Sequence, residues 1–307
     1  MSIVYSFIIP HKNSPSLLMR CIKSIPLRDD IEVIVIDDDS DIDKQPQEPD
    51  SRVKIVRLDK THSKGAGRAR NIGISYATGE WLLFPDADDY YEQGFLDILD
   101  QHKDRKDLQV LYFSCRGVDT ETLEFSHCAD GVQKCIECFD GSNYSLNVVK
   151  YMSHSPWCKM IRRKFVLDYG IFYDEVKKGN DVKFSYLSAY FAKRVEVIKE
   201  RLYVYTFNTG SITHSQRSVS GSIDIRLNEA KSKAFLHYIG LPQMHKGIPF
   251  YNTTLSVLRH QGLMSFLSFM NKMLFHRKEI FSMEYDYVST LESIKTQCLI
   301  KGIKQDD

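Results

Sequence analysis

The sequence has no long hydrophobic run: nowhere in its 307 residues do roughly 18 apolar residues follow one another, the minimum for a membrane-crossing helix. It also has almost no net charge. Lysine and arginine total 41 against 40 aspartates and glutamates, so net charge supplies no attraction to a polyanion, and nucleic acid is not an expected partner. Seven cysteines, an odd count without a spaced framework, argue against a disulfide-stapled secreted fold and for a reducing cytosol. The opening MSIVYSFIIPHKN lacks a basic leader and a small-residue cleavage site and reads as a buried strand. A cytoplasmic location is expected, with peripheral contact at the inner face of the membrane left open. There is no repeat or low-complexity tract. The length suits one large α/β domain with an appendage, or two modest domains, and no staple is needed.

What is present is alternation. Val4 to Pro10, Ile31 to Ile36, Val53 to Leu58 and Glu80 to Phe84 are short, β-branched apolar runs bounded by polar turns, the pattern of strands buried on both faces of a parallel sheet. Between them, Ser14 or Ser16 caps a helix through Leu17, Leu18, Cys21 and Ile22, and Gly67 to Tyr76 forms another that ends at Thr78-Gly79. The expected fold is α/β, an open doubly wound sheet with ligands at the carboxyl ends of its strands. Further on, Leu108 to Phe113 reads as a strand and Asn180 to Phe191 as a helix, and after Ser211 the chain turns helical. Leu263 to Phe275, followed by His276, Arg277 and Lys278, is a helix packed on the core or on a neighbouring subunit of a homo-oligomer, or one lying on a membrane surface. His127, Cys128, Cys135 and Cys138 are poorly spaced for zinc, and the cysteines are read as small packing residues.

Two acidic clusters carry the chemistry. Asp37, Asp38, Asp39 and Asp41 follow the strand IEVIVI, where carboxylates can accept hydrogen bonds from a base or ribose. Alone this could equally be a solvated acidic turn. Asp86, Asp88 and Asp89 follow the next buried run in WLLFPDADDYY. Three neighbouring acids repel one another unless compensated, and hard oxygen ligands suit Mg²⁺ or Mn²⁺. Between the clusters, Gly65 and Gly67 allow close backbone approach, while Arg68 and Arg70 offer forks for phosphate or carboxylate, or simply neutralise the acids.

FIIPHKN, VIVIDDDSD and GAGRARNIGISYATGEWLLFPDADD, in that order, resemble family 2 glycosyltransferases of the GT-A fold. The stretch from Trp157 to Thr213, WCKMIRRKF through GSIT, resembles the acceptor-side half of bacterial capsule and exopolysaccharide members. The resemblance implies a GT-A (Rossmann-like), mostly parallel sheet flanked by helices. It also implies a division into a nucleotide-sugar-binding half (1–105), an acceptor-binding half (106–215) and a C-terminal helical region (216–307).

The same resemblance implies the site. Pro10, His11 and Asn13 would line a uridine pocket and Asp38 would accept from the uracil edge. Arg70 and Asn71 would brace that pocket. Asp86 would face the ribose, Asp88 would hold a divalent cation on the diphosphate, and Asp89 would support them. The family's general base follows a glutamate just before a helix. Here the pair is Asn180 and Asp181, so Asp181 keeps the role without the neighbouring charge that would raise its pKa. Trp157 is either a platform for a sugar face or a core residue, and His214 and Arg217 are candidates for a lid over the diphosphate. The implied reaction is a single inverting displacement, from a nucleotide diphosphate sugar, a UDP-sugar by preference, to a saccharide or lipid-linked saccharide in surface polysaccharide synthesis. Two rival readings are a nucleotidyltransferase that makes the donor, for which HKNSPSLL lacks the expected glycine-rich grip, and an inactive binding protein, for which Asn180 is the only support.

Overall fold

The computed structural model describes residues 2–176, 178–207, 218–247, 250–277, 286–301 and 303. Four strands, β1 (Tyr5–His11), β2 (Ile31–Asp38), β3 (Val53–Leu58) and β4 (Trp81–Leu83), lie parallel in the order β3-β2-β1-β4. In β1 and β2 nearly every residue is buried, which is why their apolar runs are continuous rather than alternating. Helices α1 (Pro15–Ser24) and α2 (Ala66–Tyr76) make the crossovers. Proline opens α1, where its missing N–H costs nothing.

The sheet continues without a break into the second half. Here β5 (Tyr90–Tyr91) and α3 (Phe95–Leu99) precede β6 (Val110–Asp119), α4 (Asp130–Glu137), α5 (Asn143–Met152), β7 (Lys159–Arg162), α6 (Arg163–Tyr169), α7 (Val182–Phe191) and β8 (Val195–Phe207). The full order is β3-β2-β1-β4-β7-β6-β8-β5. β6 and β8 point the same way as β1 to β4, while β7 and β5 run against their neighbours. The sheet is thus mostly parallel, with β7 as the antiparallel splice that joins the halves. Because β4 pairs with β7 and β5 with β8, the regions either side of residue 105 share one sheet.

The C-terminal helices are α8 (Val219–Tyr238), α9 (Phe250–Phe275) and α10 (Asp286–Ile300). Phe235 and Leu236 of α8, and Tyr287, Leu291, Ile294 and Cys298 of α10, join the main core beside Tyr186 and Phe191 of α7. The helical region is therefore fused to the second half of the sheet domain through α7. α9 is interrupted at Gly262, whose φ of 81° is non-helical. Beyond it, Phe269 and Met273 are buried in a small cluster with Ile223 and Val257, while Leu263, Met264, Leu267, Leu274 and Phe275 stay exposed.

Candidate active site

The loops after β1, β2 and β4 and the N-terminal ends of α2 and α7 meet at the edge where a parallel sheet presents its strand ends to ligands. The loops of β1 and β2 are stapled together. His11 is buried, with Nδ1 3.0 Å from Asp37 Oδ1, and the Ser14 backbone N–H donates to Nε2 at 3.2 Å. Nε2 therefore accepts, and the ring proton sits on Nδ1, donated to Asp37. Ser40 also donates to Asp37. Asn13 and Asp39 both adopt left-handed backbone, with φ of 56° and 63°, which these short polar residues tolerate better than most. The Asn13 amide donates to Asp41 Oδ2 at 3.1 Å and accepts the Asp41 N–H at 2.8 Å. Asp38 accepts the backbone N–H groups of Lys64 and Gly65 at 3.2 and 3.0 Å, folding that loop over the strand end. Two oxygens carry about four lone-pair sites, so Asp38 retains acceptor capacity.

The acids after β4 have three different environments. Asp89 is fully buried and accepts from Tyr203 Oη at 2.8 Å and from the Thr206 N–H at 2.7 Å. Burial, with Asp88 and Asp86 adding to it, pushes its pKa well up. Tyr203 Oη also accepts the Asp86 N–H at 3.0 Å, and Thr206 and Arg20 donate to the Asp88 carbonyl. The turn is thereby pinned from β8 and α1. Asp86 pairs with Arg70 Nη2, while burial still raises its carboxyl above the ordinary range. Asp88 is half-buried, and the only donor to its carboxylate among the described residues is its own amide. Burial and the Asp86 charge lift its pKa to about 6.

Arg70 is the bridge between the two halves. It is buried, donates to Asp86 through Nη2 and to Asn180 Oδ1 through Nη1 at 2.9 Å, and lies 5.3 Å over the Tyr173 ring. The Asn71 side-chain amide donates to the Tyr173 carbonyl at 3.0 Å and accepts the Tyr173 N–H at 2.8 Å, and Arg68 pairs with Glu175. The chain can come this close because residue 67 is glycine: a Cβ there would overlap the Asp174 carbonyl oxygen and sit 2.9 Å from Asn180 Cβ. Asp181 follows as the N-cap residue of α7, partly exposed, and no donor reaches its carboxylate among the described residues. Below it, buried Lys159 donates to Ser185 Oγ at 2.9 Å. Burial lowers the Lys159 pKa to about 8, against the pull of Asp181.

Residues 6–170 match the sequence profile described as Glycosyl transferase family 2. The chain belongs to that family. Among similar proteins, the glycosyltransferase GlyG of Streptococcus pneumoniae serotype 4 is 25% identical over 238 residues, covering 73% of this chain and 78% of GlyG. TarS of Staphylococcus aureus (strain Mu50), a poly(ribitol-phosphate) beta-N-acetylglucosaminyltransferase, is 26% identical over 211 residues, covering 66% of this chain but only 35% of TarS. The structure of S. aureus TarS 1-349 in complex with UDP-GlcNAc superposes with a TM-score of 0.57 and 20% identity, covering 96% of this chain and 84% of that one. This family 2 glycosyltransferase therefore has the expected GT-A architecture with a helical C-terminal region.

For the residues singled out by sequence, the structure brings Pro10, His11, Asn13, Asp38, Arg70, Asn71, Asp86, Asp88 and Asp181 to one edge. His11 is not open to a base, since both ring nitrogens are spent inside the protein; it ties the end of β1 to that of β2 through Asp37. Trp157 takes the core alternative. It is 5% exposed and lies against Tyr203 and Tyr205 at ring distances of 5.0 and 5.2 Å, so it offers no open face to a pyranose. His214 and Arg217 lie outside the described residues. Cys135 is buried, Cys138 turns its Sγ to the Cys135 carbonyl, and His127 pairs with Asp130. Tyr203, Thr206 and Lys159 escaped sequence reasoning, because each sits in a strand whose pattern reads as ordinary core.

Proposed function

We propose that this glycosyltransferase transfers a sugar from a UDP-sugar, with inversion and with the help of a divalent cation, to a saccharide or lipid-linked saccharide acceptor. The observation that carries the reading is a pair of carboxylates, Asp88 and Asp181, that among the described residues receive no side-chain donor and no backbone donor from another residue, at the edge that Arg70 bridges through both of its terminal nitrogens. Paired acids elsewhere in the site are structural; these two are available for chemistry. Asp181 would take the proton from the acceptor hydroxyl as that oxygen attacks the anomeric carbon. Asp38, with acceptor capacity left, would receive the uracil N–H, and Asp86, held by Arg70, would face the ribose. No residue is required as a covalent nucleophile.

The site fits a cation on chemical grounds. Asp88 offers a hard oxygen ligand, and burial, with the Asp86 charge adding to it, makes its ionised form costly until a cation compensates it. Mg²⁺ or Mn²⁺ bound there would supply charge neutralisation on the leaving diphosphate. Among the described residues no three His, Cys, Asp or Glu side chains converge on one metal position, so further ligands would come from donor phosphates and water.

A membrane location for the acceptor is supported by the C-terminal region. No acidic residue falls between Glu229 and Glu279, a span that includes Lys246, Arg259, Lys272, Arg277 and Lys278. Within it, Met264 is 79% and Phe275 83% exposed. Basic charge beside exposed apolar side chains suits the headgroup layer of an anionic membrane, and no described helix is long and apolar enough to cross one.

The test is a panel of nucleotide sugars with Mn²⁺, following release of the nucleotide and thermal stabilisation. Stabilisation by UDP that EDTA abolishes, together with an Asp181→Asn variant that binds UDP but no longer cleaves any UDP-sugar, is the expected result. Full turnover by Asp181→Asn would remove the base assignment, and an equal response to nucleoside triphosphates would favour a nucleotidyltransferase.

A further inference from the structure

The backbone that carries Asp181 is gripped from two sides, and one grip comes from the C-terminal helices. Asn228, on α8 and 9% exposed, donates from Nδ2 to the Lys178 carbonyl at 2.8 Å. Its Oδ1 accepts the hydroxyl of Tyr287 at 2.9 Å, and Tyr287, on α10, is fully buried. The amide is thus used at both ends and held in one orientation. Gly179 follows Lys178 with φ of +72°, and a Cβ there would overlap Asn228 Nδ2 and approach its Cγ to 3.1 Å. The amide therefore packs directly on the Gly179 backbone, where a side chain would collide with it and where the left-handed φ also favours glycine. On the other side, Asn180 accepts from Arg70 through its side chain and from the Asp174 N–H through its carbonyl at 3.0 Å.

Asp181 comes next, and its own carboxylate makes no hydrogen bond among the described residues. A base without a partner of its own is aimed by its backbone alone. An error of about an ångström at such a group is costly to rate. We infer that Asn228, locked by Tyr287, is the positioning residue that aims Asp181, so that the helical region acts as a latch on the general base. This rests on the reading of Asp181 as that base.

The test uses the full chain and the UDP-sugar that the wild-type protein hydrolyses fastest, with water as acceptor. Asn228→Ala and Tyr287→Phe are expected to lower hydrolysis ten- to a hundredfold while the Kd for UDP with Mn²⁺ stays within twofold. Amide hydrogen exchange is expected to quicken at least tenfold across residues 178–182 and to stay unchanged across 31–38. Tyr287→Phe removes a single oxygen and guards against loss of the fold. Gly179→Ala is expected to be as damaging alone, and adding Asn228→Ala, which clears the overlapping amide, to recover part of the exchange protection rather than lose more.

Wild-type hydrolysis and exchange in Asn228→Ala and Tyr287→Phe, alongside an inactive Asp181→Asn, would overturn the latch and leave the base intact. Full hydrolysis by Asp181→Asn would overturn the base reading itself. A slowed reaction with unchanged exchange at 178–182 would also refute the latch, since the effect would then not pass through that backbone.

Discussion

Gly67 and Gly131 each occupy the second residue of a helix, in α2 and α4, yet a methyl group would meet opposite surroundings at the two positions. At Gly131 nothing lies within 4 Å of an added Cβ. Alanine there should gain part of the helix-propensity difference, about 0.5 kcal/mol in a first turn. At Gly67 the Cβ would overlap the Asp174 carbonyl oxygen and crowd Asn180 Cβ at 2.9 Å. A backbone oxygen cannot swing aside as a side-chain tip can, so the two segments must part. Overpacking of this kind costs about 1–3 kcal/mol, and the propensity gain offsets only a fraction of it. At roughly 2–4 °C per kcal/mol for chains approaching this length, Gly67→Ala should melt about 5 °C lower and Gly131→Ala about 1 °C higher. The functional signature should also differ. Parting α2 from residues 174–181 pulls Asn180 off Arg70, so Gly67→Ala should lose UDP-sugar cleavage beyond what its stability loss explains, while Gly131→Ala should be indistinguishable from wild type in rate. Differential scanning calorimetry with nucleotide-release assays measures both. A Gly67→Ala protein as stable and active as Gly131→Ala would refute the close approach on which the site geometry depends.

Three further outcomes follow from the same site. Asp88 must be ionised to bind a cation, and its pKa is lifted to about 6. Mn²⁺ affinity should therefore fall about tenfold per pH unit below 6 and level off above it. With the carboxyl raised in the folded state, the metal-free chain should lose stability as pH climbs through 6 and Mn²⁺ should restore it, which a thermal-shift series from pH 5 to pH 8 would read; a pH-independent Mn²⁺ effect would count against Asp88 as ligand. Arg70→Lys keeps the charge but cannot span Asp86 and Asn180 together, so cleavage should drop at least tenfold; an unaltered rate would mean the bridge is dispensable. Finally, the protein should co-sediment with phosphatidylglycerol vesicles and not with phosphatidylcholine ones, and glutamate at Met264 and Phe275 together should abolish this; retention by that variant would locate the contact elsewhere.

The half of the edge formed by β1, β2 and β4 was legible in sequence because it is built from local signals. Buried parallel strands announce themselves as continuous apolar runs, and the acids that follow them sit at the ligand edge by topology alone. The first strand, Tyr5–His11, and the second helix, Ala66–Tyr76, fall within a residue of where periodicity put them. What pattern could not reveal are contacts made across long sequence separation. Tyr203 and Thr206 reach Asp89 from more than a hundred residues away, and Tyr287 reaches Asn228 from 59. Trp157 stayed ambiguous because an aromatic before a strand serves a core or a ligand equally well; its neighbours Tyr203 and Tyr205 decide it.

The charge balance of the assembled edge explains why these contacts exist. Asp86, Asp88 and Asp89 all have raised pKa values, with Asp181 facing them across Arg70. Among the described residues Arg70 is the cation that pairs with a carboxylate of that cluster, while Arg20 donates to the carbonyls of Asp88 and Thr120. A diphosphate entering this edge would add further negative charge to a field that already resists ionisation, and at the low effective dielectric of a half-buried site such repulsion is several-fold stronger than in water. A divalent cation held at Asp88 would reverse the sign of that interaction, lowering the acid's own pKa and turning the donor's phosphates from a repelled group into additional ligands. Metal and donor should therefore bind with mutual reinforcement, each raising the affinity for the other by the same factor. The neutral Asn180 fits this balance. A glutamate in its place would set one more negative charge between Asp181 and Asp86, on the very group that Arg70 now engages through an uncharged oxygen. Asn180→Glu should accordingly draw Arg70 away from Asp86 and slow UDP-sugar cleavage, and a rate identical to wild type would show that a neutral residue 180 has no part in holding that bridge.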